Sequence, residues 1–267
     1  MSEPALLIEE LGPILQVTLN RPEKLNALNR EMFEGLHATV EEYARRDDLR
    51  CFLIRATGRY FCAGADLIGG EPAPPVKSPK AVREWYRSRM VAGMQRLYVE
   101  MEQIEKPFVV AHHAACVGGG LELSLSCDFR LAARSAKYSF PEAKLGSIPA
   151  SNGVSRLTHL IGPHWAKYVI LAGRPLDAIH AREVGLVHEV YEDDTFDEGV
   201  MAFCRDVAGQ PPEMTAIAKL TIDLAADNTP ANAKRIERLG QGVLHVGDEA
   251  AGLLAAMQAR LASAKVK

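Results

Sequence analysis

Segments with a strand-like pattern alternate with segments of helical periodicity along the first half of the chain. Four segments have strand-like patterns, at residues 14–19, 51–54, 108–111 and 129–133. Between them, Asn29 can cap a helix that runs to Ala44, and residues 81–105 place apolar side chains at helical spacing. This alternation of strands and helices predicts an α/β core.

The pattern becomes almost entirely helical after residue 150. Short helices are predicted at residues 154–161, 164–172 and 178–184, and one last strand at residues 185–190. Longer helices are predicted at residues 195–209, 212–227, 230–246 and 248–264. We therefore expect an α/β core over residues 1–195 and a helical C-terminal region over residues 196–267.

Composition and charge narrow the class of protein. The 267 residues suit one large domain or a domain with a sizeable appendage. With 48% apolar and 24% charged residues, the chain is unlike disordered, collagenous or coiled-coil proteins. A net charge of −3 gives nucleic-acid binding no support, and no stretch approaches the ~18 apolar residues that a membrane helix needs.

The cysteines and the N-terminal residues indicate the cellular compartment in which the protein is expected. The five cysteines are widely spaced without a C-x-x-C pair, so we expect buried free thiols in a reducing compartment. Residues 1–10 resemble neither a signal peptide nor an arginine-rich transit peptide. The sequence thus predicts a soluble cytoplasmic protein with no nucleic-acid or membrane partner.

A glycine-containing segment follows the predicted strand at residues 51–54. Gly64 allows a positive φ and leaves no side chain in the way, so a ligand oxygen can approach the N–H group of Ala65. The C-terminal ends of strands are the usual place for ligands in α/β proteins. The alternative interpretation is a tight turn with no ligand.

A run of three glycines, residues 118–120, lies between a predicted strand and a predicted helix. Three glycines cost conformational entropy, and a plain turn needs only one, so the run suggests close backbone approach to a ligand. The helix directs free N–H groups to this point, where an oxyanion would be stabilised. Glu122 shares a helix face with Gly119. Alone, Glu122 can equally be a first-turn acidic residue favoured by the helix dipole.

A second glutamate, Glu142, lies in an irregular stretch after Pro141. The proline restricts the local backbone, and irregular segments between elements often carry catalytic groups. Alone, Glu142 can also be a solvated loop residue.

The glycine run at residues 118–120 fits neither a dinucleotide-binding nor a P-loop spacing, so a nucleotide-binding motif of those kinds is excluded.

Taken in order, several segments resemble the enoyl-CoA hydratase/isomerase (crotonase) family. They are residues 20–28 (NRPEKLNAL), 61–67 (FCAGADL), 118–123 (GGGLEL), 127–128 (CD), 141–142 (PE), 145–146 (LG) and 185–187 (GLV). The resemblance covers about residues 10–200 clearly and the helical tail loosely. One such motif is weak evidence, whereas several in the same order are strong evidence.

The resemblance implies a fold, a site and a substrate. The N–H groups of Ala65 and Gly119 would form an oxyanion hole for a thioester oxygen, and Glu122 and Glu142 would be the two catalytic glutamates. The segments implied to contact coenzyme A contain Lys24, Leu25, Ala63, Ala65, Asp66 and Leu67. The family fold is a spiral of β-β-α turns with a helical C-terminal region that packs trimers, often paired into hexamers. The implied substrate is an acyl-CoA thioester, and no metal or other cofactor is required.

The two glutamates favour hydration of an enoyl-CoA, because one carboxylate can activate water while one carboxylic acid protonates the α-carbon. A double-bond isomerase on the same fold needs only one carboxylate and remains an alternative. Another alternative is a catalytically silent relative used for assembly or RNA binding, which the intact glutamate pair and the charge disfavour. A Ser-His-Asp hydrolase is disfavoured because no G-x-S-x-G elbow occurs.

Two segments depart from the family pattern. Residues 150–153 (ASNG) replace a glycine-rich run and add bulk near the reacting carbons, which leaves the acyl group open. His112 and His113 stand in a segment that commonly holds Asn-Gly. Together with Cys116 they suggest zinc only weakly, because strand neighbours point to opposite faces and no fourth ligand is evident.

The C-terminal region generates a testable prediction. Its helices carry apolar residues such as Leu239, Val243, Leu253, Leu254 and Leu261 on an appendage too small for a second core. An amphipathic helix buries its apolar face against something, so we expect a homotrimer or a dimer of trimers. Light scattering at micromolar concentration measures the mass, and a monomer would contradict the prediction.

Overall fold

A computed structural model describes residues 3–66 and 78–264, except for the side chains of residues 85, 86, 88–92 and 264. Leu67 and most of the proline-rich segment 71–79 therefore lie outside the described residues. The chain forms two compact units, Met1–Ala208 and Gly209–Lys267.

In the described part of the first unit, ten strands form two sheets. The strands are β1 (Leu6–Leu11), β2 (Ile14–Leu19), β3 (Cys51–Ala56), β4 (Tyr60–Cys62), β5 (Phe108–His112), β6 (Ala115–Val117), β7 (Phe129–Ala133), β8 (Lys137–Ser139), β9 (Leu176–Asp177) and β10 (Glu189–Tyr191). The larger sheet has the order β1-β2-β3-β5-β7-β10 and is parallel after the β1–β2 hairpin. The smaller sheet has the order β4-β6-β8-β9.

Ten helices are described. They are α1 (Arg30–Arg45), α2 (Pro79–Ala92), α3 (Met94–Gln103), α4 (Gly119–Leu125), α5 (Gly153–Ile170), α6 (Ala178–Glu183), α7 (Phe196–Ala208), α8 (Pro212–Ala226), α9 (Pro230–Val246) and α10 (Asp248–Ala264). Asn29 caps α1 as predicted, because its side-chain oxygen accepts a hydrogen bond from the backbone N–H of Met32 at 3.0 Å.

The chain winds through the two sheets as a spiral of β-β-α turns. In the pairs β3–β4, β5–β6 and β7–β8, the first strand joins the larger sheet and the second joins the smaller one. Helices follow each pair before the chain returns to the larger sheet. The fold expected from the sequence, a spiral α/β core followed by C-terminal helices, is thus confirmed.

Side chains of the larger sheet alternate between two apolar layers. Phe52 and Ile54 point into the main core with α1 and the smaller sheet, whereas Cys51 and Leu53 point to the opposite face. Helix α7 covers that opposite face with Phe196, Val200, Cys204 and Ala208. Because α7 buries these side chains on the sheet, it belongs to the first compact unit, which runs to Ala208.

Several elements differ from the sequence-based expectations. The single helix expected at residues 81–105 is two helices, because Gly93 adopts an extended conformation (φ −103°, ψ 178°) between them. The helices expected at residues 154–161 and 164–172 are one assigned helix, α5, with a kink at Gly162 (φ 72°). The last strand is shorter than expected, since Leu186 and Val187 instead donate their N–H groups to the carbonyl of Ala181.

The second unit is a group of three helices, with α8 and α9 packed together. The Glu249 carboxylate at the start of α10 accepts hydrogen bonds from the amides of Glu213 and Met214, which begin α8. Large apolar side chains remain exposed on these helices: Leu239, Val243, Val246, Leu253, Leu254, Met257 and Leu261. Among the described residues, none of the helices has the length and apolar character required to cross a membrane.

Candidate active site

The segment that carries Ala65 leaves the end of β4 and pairs with Leu28. The Leu28 N–H donates to the Gly64 carbonyl at 2.8 Å, and the Asp66 N–H donates to the Leu28 carbonyl at 2.9 Å. Successive N–H groups of an extended segment point to opposite sides, so the Ala65 N–H points away from Leu28. Within residues 3–66 and 78–264, this amide has no hydrogen-bond partner.

The second segment is the glycine turn between β6 and α4. Gly118 has φ 52° and ψ −124°, a conformation that residues with a side chain rarely adopt. Its carbonyl accepts hydrogen bonds from the amides of Leu121 at 2.8 Å and Glu122 at 3.0 Å. Gly119 is the first residue of α4, and its own N–H is unpaired in the described part of the chain.

These two segments contact each other backbone to backbone. A Cβ atom built on Gly119 would lie 3.3 Å from the Ala65 nitrogen, and one built on Gly64 would lie 3.3 Å from the Gly119 nitrogen. Side chains at either glycine would therefore separate the segments. The structure thus brings the backbones of the predicted amide pair, Ala65 and Gly119, together.

Glu142 reaches the glycine turn from a 3-10 turn, Glu142–Leu145. Its Oε1 lies 2.8 Å from where a Cβ on Gly118 would be. Its Oε2 is buried and has no hydrogen-bond partner among the described residues. Burial, with a smaller contribution from the negative charge of Glu122, raises the pKa of Glu142 above its usual value.

Glu122 lies on α4 and is buried, with 4% of its surface exposed. Its Oε1 accepts a hydrogen bond from the Ser151 N–H at 2.7 Å. A Cβ on Gly153 would lie 2.9 Å from the same oxygen, so the start of α5 packs closely against this carboxylate. The two glutamates thus approach the glycine turn from different elements and have different surroundings.

Lys24 and Leu25, which are implied to contact coenzyme A, lie in a short turn that is hydrogen-bonded to the segment before Ala65. Lys24 is exposed at the end of the 3-10 turn Pro22–Lys24. Leu25 has a left-handed backbone (φ 53°), and its carbonyl accepts the Ala63 N–H at 3.0 Å. Ala63 is partly exposed beside this contact.

Asn26 holds the same turn and was not predicted from the sequence. It is fully buried, and its Oδ1 accepts the Arg21 N–H at 2.7 Å. Its Nδ2 donates to the carbonyls of Thr57 at 2.7 Å and Tyr60 at 3.0 Å. One side chain therefore fixes the turn against the start of β4.

Asp66 has a structural contact in addition to its expected place near the ligand. Its carboxylate forms an ion pair with Arg21 at 3.2 Å, and Arg21 also donates to the Ala27 carbonyl at 2.6 Å. Both side chains are largely buried, which strengthens the attraction between them. Leu67, the last residue of the expected coenzyme A segment, lies outside the described residues.

His112 and His113 do not converge on a metal site. His112 is fully buried between Ser124 and Tyr138, whereas the Nε2 of the partly exposed His113 contacts the Gly58 carbonyl at 2.7 Å. Within the described ranges, no group of three or more His, Cys, Asp or Glu residues is arranged to hold a metal ion. All five cysteines are free and buried, as expected.

Comparisons with known proteins agree with the geometry. The sequence profile of the family described as enoyl-CoA hydratase/isomerase matches residues 9–246. A putative enoyl-CoA hydratase/isomerase of Bacillus subtilis, YngF, is 37% identical over 175 residues, which cover 65% of this chain and 64% of that protein. A probable enoyl-CoA hydratase of Rhizobium meliloti is 30% identical over 266 residues and 99% of both chains.

Solved structures show the same similarity. The crystal structure of an enoyl-CoA hydratase from Bacillus anthracis superposes with a TM-score of 0.83 at 28% identity. The match covers 95% of this chain and 96% of that one. The spiral core and the C-terminal helices are therefore both present in proteins of this kind.

The surroundings of Glu142 predict a stability change with a defined pH dependence. Glu142→Gln is expected to raise the melting temperature by roughly 1–3 °C at neutral pH, because glutamine has no charge to desolvate. Burial raises the folded-state pKa of Glu142 above the unfolded value, so its destabilising effect is absent at low pH and develops as the pH rises through the folded pKa.

Thermal unfolding between about pH 4 and pH 7 measures this difference. The gain of Glu142→Gln over the wild type should grow as the pH rises. Glu237→Gln, at an exposed glutamate outside the site, is the control and should show no such growth. A gain that is constant with pH, or that shrinks, would contradict the prediction.

Proposed function

The chain belongs to the enoyl-CoA hydratase/isomerase family, and we propose that it adds water across the α,β double bond of an enoyl-CoA thioester. The observation that supports this proposal is the backbone contact that joins the Ala65 and Gly119 amides, with Glu142 directed at the same turn. No metal or redox cofactor takes part in the proposed reaction, since coenzyme A belongs to the substrate.

The proposed role of the amide pair follows from thioester chemistry. Addition of water to the β-carbon places negative charge on the thioester oxygen in an enolate-like state. Two fixed N–H donors stabilise this charge more than they stabilise the neutral carbonyl, and the loss of one such donor typically costs about 10²–10³ in rate. The N–H groups of Ala65 and Gly119 need no rearrangement to act, because no protein acceptor in the described residues occupies them.

The surroundings of the glutamates support a division of labour between them. Glu142 is proposed to give a proton to the α-carbon, because its raised pKa keeps the acid form at higher pH than an exposed glutamate would. Glu122 is proposed to activate the water, because the Ser151 amide donates to its carboxylate and holds it in place beside the glycine turn. This assignment agrees with a general rule: two nearby carboxyl groups tend to have different pKa values, so that one acts as the acid and the other as the base.

The binding segment is proposed to be the turn and strand end around Lys24, Leu25, Ala63, Asp66 and Leu67. The exposed ammonium of Lys24 carries the charge that suits a phosphate group of coenzyme A. Arg21 holds Asp66 and the Ala27 carbonyl, and so keeps this segment in register with Ala65. The trimer or hexamer and the cytoplasmic location expected from the sequence remain predictions.

A double-bond isomerase is the second candidate, and one observation favours it. Glu142 has a buried carboxyl oxygen with no partner in the described chain, whereas an oxygen of Glu122 is engaged by Ser151. Isomerisation needs a single carboxylate that moves a proton between two carbons, and Glu142 alone can do this. The assay below therefore distinguishes the two reactions by their products.

A panel of enoyl-CoA thioesters with different chain lengths tests the proposal. Loss of the conjugated thioester absorbance with formation of a 3-hydroxyacyl-CoA would support hydration. A gain of conjugation from a 3-enoyl-CoA, with no hydroxylated product, would establish isomerisation instead. No turnover of any member of the panel by the folded protein would contradict both functions.

The glutamate pair is expected to act as a unit. Glu122→Gln and Glu142→Gln should each lower kcat by about 10²–10⁴, and the double variant should fall little further, because both groups serve one proton-transfer sequence. Glu100→Gln, at a partly buried glutamate paired with Arg96, is the control and should keep wild-type turnover. Steady-state kinetics with the best substrate measures the effect.

Two results would decide against this prediction. Full activity in either single variant would remove hydration as the function. Loss of activity in only one of the two variants would favour isomerisation, for which a single carboxylate is sufficient.

A further inference from the structure

The three glycines that carry the Gly119 amide have no side chains to restrain them. Glycine samples more backbone conformations than any other residue, so an accurate position of Gly119 requires external contacts. The Gly118 carbonyl is fixed by the amides of Leu121 and Glu122 within α4. The Gly119 carbonyl lies in the first turn of α4, and a side chain from another helix adds a further contact to it.

That side chain is Tyr98 on α3. It is fully buried, and its hydroxyl donates to the Gly119 carbonyl oxygen at 3.1 Å. The Met94 sulfur lies 3.5 Å from the same hydroxyl. A tyrosine hydroxyl has one hydrogen, and a carbonyl oxygen is a much better acceptor than a thioether, so the hydrogen bond to Gly119 is the stronger one.

The restraint on the carbonyl acts on the amide of the same residue. When the Gly118 and Gly119 carbonyls are both held, the peptide planes on the two sides of the Gly119 Cα cannot rotate freely. The Gly119 nitrogen is in backbone contact with Gly64, since a Cβ on Gly64 would lie 3.3 Å from it. A rotation of this residue would therefore change the spacing between the Gly119 and Ala65 amides.

We propose that Tyr98 is a positioning residue, which holds the Gly119 amide in the geometry required to stabilise the thioester oxyanion. This inference rests on the proposed function of the site. In this proposal Tyr98 neither contacts the substrate nor transfers a proton. Its hydroxyl acts through the backbone, and its loss should weaken the interaction with the oxyanion more than the binding of coenzyme A.

The chain contains a close match for a control. Tyr43 is also fully buried, and its hydroxyl donates to a backbone carbonyl, that of Pro107, at 2.9 Å. Its ring packs against Phe52 and Phe108 in the main core. Tyr43→Phe and Tyr98→Phe thus each remove one buried hydroxyl from one backbone carbonyl, and only Tyr98→Phe does so at the glycine turn.

The first measurement is a comparison of steady-state constants. Tyr98→Phe is expected to lower kcat about tenfold, less than the loss of an oxyanion donor itself, with KM changed by less than about twofold. Tyr43→Phe is expected to lower the melting temperature by a similar amount and to leave kcat within about twofold of the wild type. Equal kcat losses in the two variants would overturn the proposal.

The second measurement tests directly whether the two backbone amides donate hydrogen bonds to the thioester oxygen. Butanoyl-CoA labelled with ¹³C at the thioester carbonyl has no double bond to hydrate, and its carbonyl stretch falls in frequency when two N–H groups donate to the oxygen. Infrared difference spectra should show this shift in the wild type and in Tyr43→Phe, and a smaller shift in Tyr98→Phe. An identical shift in all three proteins would overturn the positioning role.

The same spectra separate this inference from the proposed function. If bound butanoyl-CoA shows no shift in the wild type, the oxyanion site itself is wrong, and the proposed function fails. If Tyr98→Phe does not fold, 3-fluorotyrosine at position 98 replaces it. The fluorinated phenol is a stronger donor and should increase the carbonyl shift, whereas an unchanged shift would overturn the proposal.

Discussion

The contact between the Gly64 and Gly119 backbones is the constraint on which the site depends. It arises because β4 and β6 are parallel neighbours in the smaller sheet, so the segments that follow them leave the sheet at the same edge. A Cβ atom at Gly64 or Gly119 would crowd the opposite backbone nitrogen at 3.3 Å, and Gly120 packs against Cys62, where a Cβ would lie 2.6 Å from the sulfur. The glycine run is therefore required by packing as well as by chemistry.

This contact also explains why the two glutamates differ. Glu122 belongs to the helix that begins at the contact, and its carboxylate is covered by the start of α5. Glu142 arrives from a separate turn and leaves one oxygen buried without a partner in the described residues. A carboxyl in such a place destabilises the folded chain when it ionises. The site thus combines rigid backbone donors with one carboxyl whose charge is disfavoured.

Most of the long elements of this fold could be predicted from the sequence, with the exception of β1, and the shortest strands could not. Helix α1 and the strands β2, β3, β5 and β7 show clear patterns, whereas β4, β6, β8 and β9 have only two or three residues each and no readable period. The segments that carry Ala65 and Gly119 could be singled out because glycine motifs are local in the sequence. The contacts of Tyr98 and of the Asn26 amide nitrogen could not, since Tyr98 contacts a carbonyl 21 residues away and the Asn26 Nδ2 contacts carbonyls 31 and 34 residues away.

A buried series of hydrogen-bonded side chains next to α4 supports the glycine turn from the core. The Ser124 hydroxyl donates its single hydrogen to the Gly120 carbonyl at 2.8 Å, so it must accept from the Nε2–H of His112, also at 2.8 Å. The Nδ1 of His112 then accepts from the hydroxyl of Tyr138 at 3.1 Å.

In this series of hydrogen bonds, each hydroxyl or N–H group donates toward Gly120, from Tyr138 through His112 and Ser124. None of the side chains is charged. Burial lowers the pKa of His112 to about 3, which agrees with a neutral ring. Because the hydrogen of Ser124 is committed to the carbonyl and not to the histidine, this serine–histidine contact lacks the arrangement of a nucleophile and its base. The polar residues here hold a backbone in place, and the chemistry is left to the groups on the opposite side of α4.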